Sequence, residues 1–429
     1  VFLSWNFLLM GETFLAFVSE NSAPALVSGA QSFHQQHPEH QLIIRTPSQL
    51  AKLQDIEIKN LLNLSHATLI AGFYGEQTER LKKILQESSL SRAKLLLAIS
   101  SDRRLVLLSS FKKQNLFQGF PIEDLKSLYE NPGKNVDFHA WLQSIKNKFP
   151  DQAPWLQARA YWQSGGTENL KGLMEWMLHF SEPSISITTL RPQESIQSLY
   201  KGKIRPLSEI KLKKDAKITA ILDLNSNHVA GKIETAQRLM NKLSSLGQES
   251  ITFFSRWGPS TVEVVQQLEK RIQPAKLSSV ISLQDFILGG GDGRVTVTDE
   301  LKKLNVPVIK GIRIHELTES EWRLSSDGLP WKSVHYRISM PEIQGISQPI
   351  VLSVSEKPII DELTGCKVSF NKPIENRIDA LTKRIANWSQ LQNKENKYKK
   401  IAIIYYNHPP GRHNIGADNL DVPKSLMSI

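Results

Sequence analysis

The chain has 429 residues and a single cysteine, Cys366, which rules out an internal disulfide and a zinc site built on several thiolates. That usage suits a reducing compartment, and a cytoplasmic location is expected. No apolar run reaches the ~18 residues of a bilayer-crossing helix, so no membrane span is expected. Residues 1–10 are apolar but lack a basic start and a small-residue cleavage site, which makes a weak export signal at most. No glycine-rich segment ends in the Lys-Ser or Lys-Thr of a phosphate-binding loop. The one contender, Gly289-Gly290-Gly291-Asp292-Gly293, runs into residues 294–297, which read as extended; a flexible strand-to-helix connection is expected there.

Acidic residues are also short, leaving a net charge of +11. The excess is local. Residues 201–217 hold seven basic and two acidic residues, and residues 383–400 hold six and one. Both segments read as solvated connectors between globular parts. No zinc-finger or RNA-recognition pattern accompanies them, so nucleic acid is not an expected partner.

What is present is an alternation of short apolar runs with amphipathic stretches, the pattern of parallel α/β sheets. We expect successive Rossmann- or flavodoxin-like parallel-sheet units with a helical insert, the last unit truncated. The expected division is an N-terminal α/β domain (1–135), a helical region and basic linker (136–215), a second α/β domain (216–316), a connecting region with a basic helix (317–400), and the start of a third α/β unit (401–429). In the helical region four tryptophans, Trp141, Trp155, Trp162 and Trp176, are expected to serve as core and domain contacts. Gly165 and Gly166 separate two helices, and Glu168 and Asn169 open the second, where capping is their simplest role. In the second domain a helix over 232–246 carries Ile233, Ala236, Leu239, Met240, Leu243 and Leu246 on one face, with Gly247 ending it. Ser260 and Glu263 read as a capping box. Ligands of such sheets sit beyond the carboxyl ends of the strands, which nominates the loops 223–231, 254–260 and 289–293. His34, His37 and His40 are spaced by three, but Pro38 interrupts them and no carboxylate cluster joins them; a surface helix end is expected, and no metal ligand is assigned.

The last thirty residues are the most specific. Residues 401–406 are apolar and aromatic, as a strand buried on both faces would be. A loop follows: Asn407, His408, Pro409, Pro410, Gly411, Arg412, His413, Asn414, Ile415, Gly416. A helix then begins, with Asp421 as cap and Pro423 in its first turn. Tyr406-Asn407-His408-Pro409-Pro410-Gly411, Asn414-Ile415-Gly416-Ala417, Leu420-Asp421-Val422-Pro423 and Ser425-Leu426 closely resemble a signature of the large subunits of cobaltochelatase (the CobN type) and of the H subunit of magnesium chelatase. Upstream, Gly165-Gly166-Thr167-Glu168-Asn169, Asn305-Val306-Pro307-Val308, Glu321-Trp322-Arg323 and Met340-Pro341-Glu342-Ile343-Gln344-Gly345 resemble further family segments in the family's order, with Gln344 in place of an aspartate.

The resemblance implies the N-terminal portion of an ATP-dependent metal chelatase. Its substrates would be a tetrapyrrole and a divalent metal, cobalt favoured over magnesium, in cobalamin biosynthesis. MgATP would be hydrolysed by AAA+ partner subunits, not by this chain. It nominates His408, Arg412, His413 and Asn414 for substrate binding. Pro409, Pro410, Gly411, Gly416, Gly165, Gly166, Glu168, Asn169, Trp322, Pro341 and Glu342 would be structural motif positions. The HGTHG-type segment and later glutamate on which insertion depends in that family do not occur here, so no catalytic residue is assigned; the remaining C-terminal part of the large subunit is an expected partner. The alternative is a non-catalytic tetrapyrrole- or metal-binding module from a split gene. Because the glycine segment lacks its lysine, the purified chain should release no phosphate from ATP; turnover abolished by substituting Asp292 or Arg294 would contradict this.

Overall fold

Runs such as Leu95–Ile99, with every side chain buried, suit strands covered on both faces, and such runs assemble here into two sheets. The computed structural model describes residues 11–87, 95–129, 136–192, 196–205, 207–225, 233–404, 406–407, 415–416 and 421–428. The chain forms two compact units, Val1–Thr382 and Lys383–Ile429.

In the first unit, β1 (Thr13–Val18), β2 (Gln41–Arg45), β3 (Ala67–Ala71) and β4 (Leu95–Ile99) pair in parallel in the order β2-β1-β3-β4. An antiparallel ribbon, β5 (Ser110–Phe111) and β6 (Gln114–Asn115), extends the β4 edge. The helices Ala153–Ser164 and Gly166–His179 join the same core. Trp155 is fully buried and its indole N–H donates to the Ala98 carbonyl at 2.7 Å. Gly29 faces Leu170 so closely that an added Cβ would lie 2.7 Å from the leucine Cβ, so the helix Ala23–His34 packs tightly on Gly166–His179.

The second sheet contains β7 (Ile196–Tyr200), β8 (Lys203–Arg205), β9 (Lys217–Leu224), β10 (Glu249–Ser255), β11 (Lys276–Ser282), β12 (Val308–Thr318) and β13 (Ser347–Ser355). Its parallel centre runs β10-β9-β11-β12-β13, and β7 and β8 continue one edge antiparallel. Both sheets therefore place their second strand outside the first, the doubly wound order of flavodoxin-like folds. After β13 the chain leaves for a hairpin, β14 (Ile359–Ile360) and β15 (Lys367–Val368), and returns as β16 (Asn371–Pro373) beside β13. The hairpin reaches the first sheet. Thr364 O accepts from the Ile44 N–H at 3.2 Å and from Arg45 at 2.8 Å, and Gly365 O accepts from Gln49 at 2.9 Å.

Charged side chains are buried at the carboxyl ends of β9, β11 and β12. Arg313 forks onto Asp223 at 2.6 and 2.8 Å, with both side chains at most 5% exposed. Lys310 donates to Gln284 O at 2.7 Å and lies 3.2 Å from Asp285, which also meets Arg337 at 3.3 Å. Arg337 reaches Glu316 at 3.0 Å.

Several expectations are corrected. The glycine segment is not a loose connection followed by extended chain: a helix runs Gly290–Leu304. Its β-branched residues favour a strand, but Val297 and Leu301 are buried in the second core, and tertiary packing overrides propensity. Gly293 lets this helix meet Val262, with which a Cβ would collide. Ser260 forms no capping box. Pro259 takes the first helical position after Gly258 and starts Pro259–Gln266 earlier, while Glu263 pairs with Arg271 at 2.8 Å. Residues 201–205 are no connector: they form the turn and outer strand of the β7–β8 hairpin, where exposed lysines discourage further strand pairing.

In the second unit, residues 401–404 are exposed and not in a strand, Ile404 at 94%. Apolar character alone does not make a buried strand; a partner strand must satisfy its backbone, and none among the described residues does. Tyr406–Asn407 instead pairs antiparallel with Ile415–Gly416. The helix Val422–Ser428 begins as expected, the Asp421 carboxylate accepting from the Lys424 N–H at 3.1 Å.

Replacing Arg313 by Met should cost about 3–5 kcal/mol in denaturant unfolding, because Asp223 stays buried without its guanidinium. Adding Asp223→Asn should recover part of that loss. For Asp285, burial raises the pKa, but Lys310, Arg337 and Arg313 together hold it below its ordinary value. Glu316 is likewise lowered: burial opposes this, and the hydrogen bond and charge of Arg337 together with backbone N–H donors outweigh it. Their contribution to stability should be complete above about pH 5 and should decline as pH falls through the folded values, which an acid titration of the unfolding midpoint would show.

Candidate functional site

The carboxyl ends of β1, β4, β9 and β10 converge on one cavity of about 330 Å³ in the first unit. Ser22 follows β1 and Ser100 follows β4; Leu224 ends β9 and Asn225 follows it; Ser255 ends β10, and Arg256 and Trp257 follow it. Trp162, Gln163 and Leu170, from the helices Ala153–Ser164 and Gly166–His179, form another wall. Two of the three nominated loops, 223–231 and 254–260, thus contribute to one site, although residues 226–232, His228 included, lie outside the described residues. The third does not line the cavity. Gly290 packs behind Trp257, whose ring would lie 3.4 Å from a Cβ at that position.

Buried polar groups hold these walls. Gln284 donates to Asp223 O and to Ser255 Oγ, both at 3.1 Å, and accepts from Thr261 at 3.3 Å. One buried amide therefore ties the ends of β9 and β10 and the following helix together. The Trp257 indole N–H donates to Ile287 O at 3.2 Å and leaves the ring 52% exposed.

The cavity is electrostatically unbalanced. Among the described residues the Arg256 guanidinium has no ion pair or hydrogen bond, and burial lowers its pKa from the ordinary value. Arg159 lies one turn before Trp162 and is 3% exposed. It donates to Tyr129 O at 2.8 Å and stacks over the Tyr129 ring, but its Nε has no partner. Burial pulls its pKa down to about 10, Tyr129 opposing and Arg256 adding to the fall. Arginine remains protonated even so. On the opposite sign, Asn225 is 3% exposed and its Oδ1 has no hydrogen-bond partner. In the cavity wall the Arg256 guanidinium, a free amide acceptor and two tryptophans suit a flat, anionic ligand carrying a donor.

The remaining candidates divide. His408, Pro409, Pro410, Gly411, Arg412, His413 and Asn414 lie outside the described residues. Gly416 sits in the short ladder opposite Tyr406. Gly165 and Gly166, at φ 57° and 76°, make the break between helices. Asn169 is not a cap. It is buried and clamps the chain to Arg191, donating to its carbonyl and accepting from its N–H, both at 2.9 Å. Glu168 is exposed, 3.7 Å from Lys171. Trp322 is half-buried under Arg377, and Glu321 caps Thr318 at 2.7 Å. Pro341 and Glu342 are not in a turn but in the short helix Met340–Ile343, whose C-cap Gln344 accepts from the Leu288 N–H at 2.7 Å and donates to its carbonyl at 3.1 Å. Arg159, Asn225 and Arg256 were not singled out from sequence; only the loops bearing the last two were.

Comparison with known proteins agrees with this architecture. Residues 159–429 match the family model CobN/Magnesium Chelatase. The chain is 24% identical over 312 residues to magnesium-chelatase subunit ChlH of Oryza sativa, covering 66% of this chain and 22% of that protein. It is 21% identical over 304 residues to the aerobic cobaltochelatase subunit CobN of Sinorhizobium sp, covering 70% and 21%. An uncharacterized protein of Methanocaldococcus jannaschii is 27% identical over 283 residues, covering 62% and 23%. The catalytic subunit of cobaltochelatase from Mycobacterium tuberculosis shares the fold, with a TM-score of 0.53 at 15% identity over 89% of this chain and 28% of that one. The chain thus spans less than a third of each of these proteins, and the family match covers more than half of its own length: it belongs to the CobN/magnesium chelatase family.

Proposed function

We propose that this chain is part of the large subunit of an ATP-dependent metal chelatase and that its cavity holds one edge of a tetrapyrrole while a divalent metal is inserted. The observation that carries this reading is Arg256, half-buried at the carboxyl end of β10 and without a counter-ion among the described residues, in a cavity also lined by Trp162 and Trp257. A tetrapyrrole is flat and bears carboxylates on its rim. Its face would lie on indole and its carboxylate would take the planar fork of the guanidinium. At about 330 Å³ the cavity is near the lower end of the roughly 300–1,000 Å³ range for ligand sites, which suits an edge and not a whole macrocycle.

The loop carrying His408, Arg412, His413 and Asn414 would also bind substrate, with an imidazole for the metal or the inner N–H groups and Arg412 for a carboxylate. Cobalt is favoured over magnesium, hence a place in cobalamin biosynthesis, on the wording of the Asn407–Gly411 and Asn414–Ala417 segments. MgATP would be used by AAA+ partner subunits in the cytoplasm. Among the described residues no helix is long and apolar enough to cross a membrane.

The test is titration of protoporphyrin and of a metal-free corrin with carboxylate side chains, read by quenching of tryptophan fluorescence. Arg256→Met should weaken binding about tenfold or more, the worth of one charge-assisted hydrogen bond. It should also raise the thermal midpoint, because it removes a partly desolvated, unpaired cation. Trp257→Ala should weaken binding as well. Unchanged affinity in both variants would remove the cavity from the proposal. Unchanged affinity in His408→Ala, Arg412→Ala and His413→Ala would reduce that loop to a structural turn.

A further inference from the structure

Away from the cavity, the segment after the helix Ala23–His34 turns back on itself and brings His37 and His40 together. Their ring centroids are 5.9 Å apart, and both rings pack on Phe33. These histidines are not a surface helix end, and carboxylates do join them. Glu39 Oε1 lies 3.2 Å from His40 Nε2 and 4.0 Å from His37 Nδ1, and Glu182 Oε2 lies 3.7 Å from the same His40 nitrogen. Ligand atoms of His37, Glu39 and His40 all fall within 4.8 Å of one another.

His40 supplies the deciding observation. Its side chain is fully buried, and its Nε2 has no hydrogen-bond partner although two carboxylates face it. Its other nitrogen, Nδ1, lies 3.3 Å from the carbonyl of Glu12. A carbonyl only accepts, so Nδ1 donates to it and Nε2 is the ring nitrogen turned to the carboxylates. Two carboxylates turned on one buried nitrogen that hydrogen-bonds to neither leave a place for a cation between them. A backbone carbonyl fixing the far nitrogen is also the usual outer support of a metal-binding imidazole.

We propose that His37, Glu39, His40 and Glu182 form a binding site for a divalent transition-metal ion. Donor atoms 3.2–4.0 Å apart can close on an ion that binds nitrogen and oxygen at about 2.0–2.2 Å. Two imidazoles and two carboxylates favour Zn²⁺, Co²⁺ or Ni²⁺ over Ca²⁺ or Mg²⁺. The ion would pin the turn after Ala23–His34 to the turn after Gly166–His179. Those two helices carry Ala25 and Leu170 into the cavity wall, so the site would brace that wall. It lies mostly before residue 159, where the family match begins.

The experiment is titration of the full chain, stripped with chelator, with Zn²⁺ by calorimetry and with Co²⁺ by visible absorption. One equivalent should bind, and Zn²⁺ should raise the thermal midpoint. Glu39→Gln and His40→Ala should each weaken binding at least tenfold, whereas His139→Ala, at an exposed position, should retain it. Glu39 is 46% exposed, so Glu39→Gln decides the matter if His40→Ala fails to fold, as circular dichroism would reveal. The absence of saturable binding by the wild-type chain would overturn the proposal: His40 would then be an imidazolium paired with Glu39. Wild-type affinity in Glu39→Gln would overturn it equally.

Discussion

The buried pair between Asp223 and Arg313 is the constraint on which the second sheet and its cavity rest. Asp223 is fully buried at the end of the central strand β9, where an unpaired carboxylate would be very costly. Arg313, two strands away on β12, answers it with both arms and also donates to Leu283 O at 3.0 Å, at the end of the intervening β11. Three strand ends are thereby held level. Leu224 and Asn225 come next in the chain and take their places in the cavity from that position. Such a pair adds little net stability compared with a well-packed apolar substitute; what it provides here is registry at the sheet's functional edge.

The cavity is built on the opposite principle. Where Asp223 and Arg313 satisfy each other, Arg256 and Arg159 have no acidic partner among the described residues and the Asn225 acceptor is unused. Residual imbalance of this kind weakens the empty protein and strengthens its hold on a complementary ligand. Ser22 and Ser100 belong to the first sheet, before the residues that match the family model, so the site draws on more of the chain than the family match does.

The elements were largely legible in the sequence because burial has a local signature. β1, β3, β4 and β9 are mainly apolar runs, and the helix Glu234–Ser245, with Gly247 at φ 74° just beyond it, buries Ala236, Leu239, Met240 and Leu243 as expected, while Ile233 caps it and Leu246 is exposed. The failures have physical causes. Valines and threonines after the glycines read as strand because local propensity cannot anticipate that Val297 packs in a core. Residues 401–404 read as a buried strand because apolarity is visible in sequence and pairing is not. The site was half legible: a topological rule nominated the loops after β9 and β10, but an arginine without a counter-ion can be recognised only once every possible partner has been placed. The histidine cluster was hidden for the same reason, since Glu182 approaches His40 from more than a hundred residues away.

The hairpin between β13 and β16 gives this fold a timetable. β2 is an edge strand of the first sheet, and the Ile44 N–H finds its acceptor in Thr364, 320 residues later. A chain emerging from the ribosome at about 5–20 residues per second completes Gln41–Arg45 well before it makes Thr364. For some tens of seconds the first sheet exposes an unpaired edge. Burial of that edge is therefore among the last events in assembly of the first unit, and contacts so distant in sequence form slowly. A nascent chain halted before residue 364 would carry a complete set of parallel strands and an open flank, which is the form of this protein most exposed to mispairing with a neighbour.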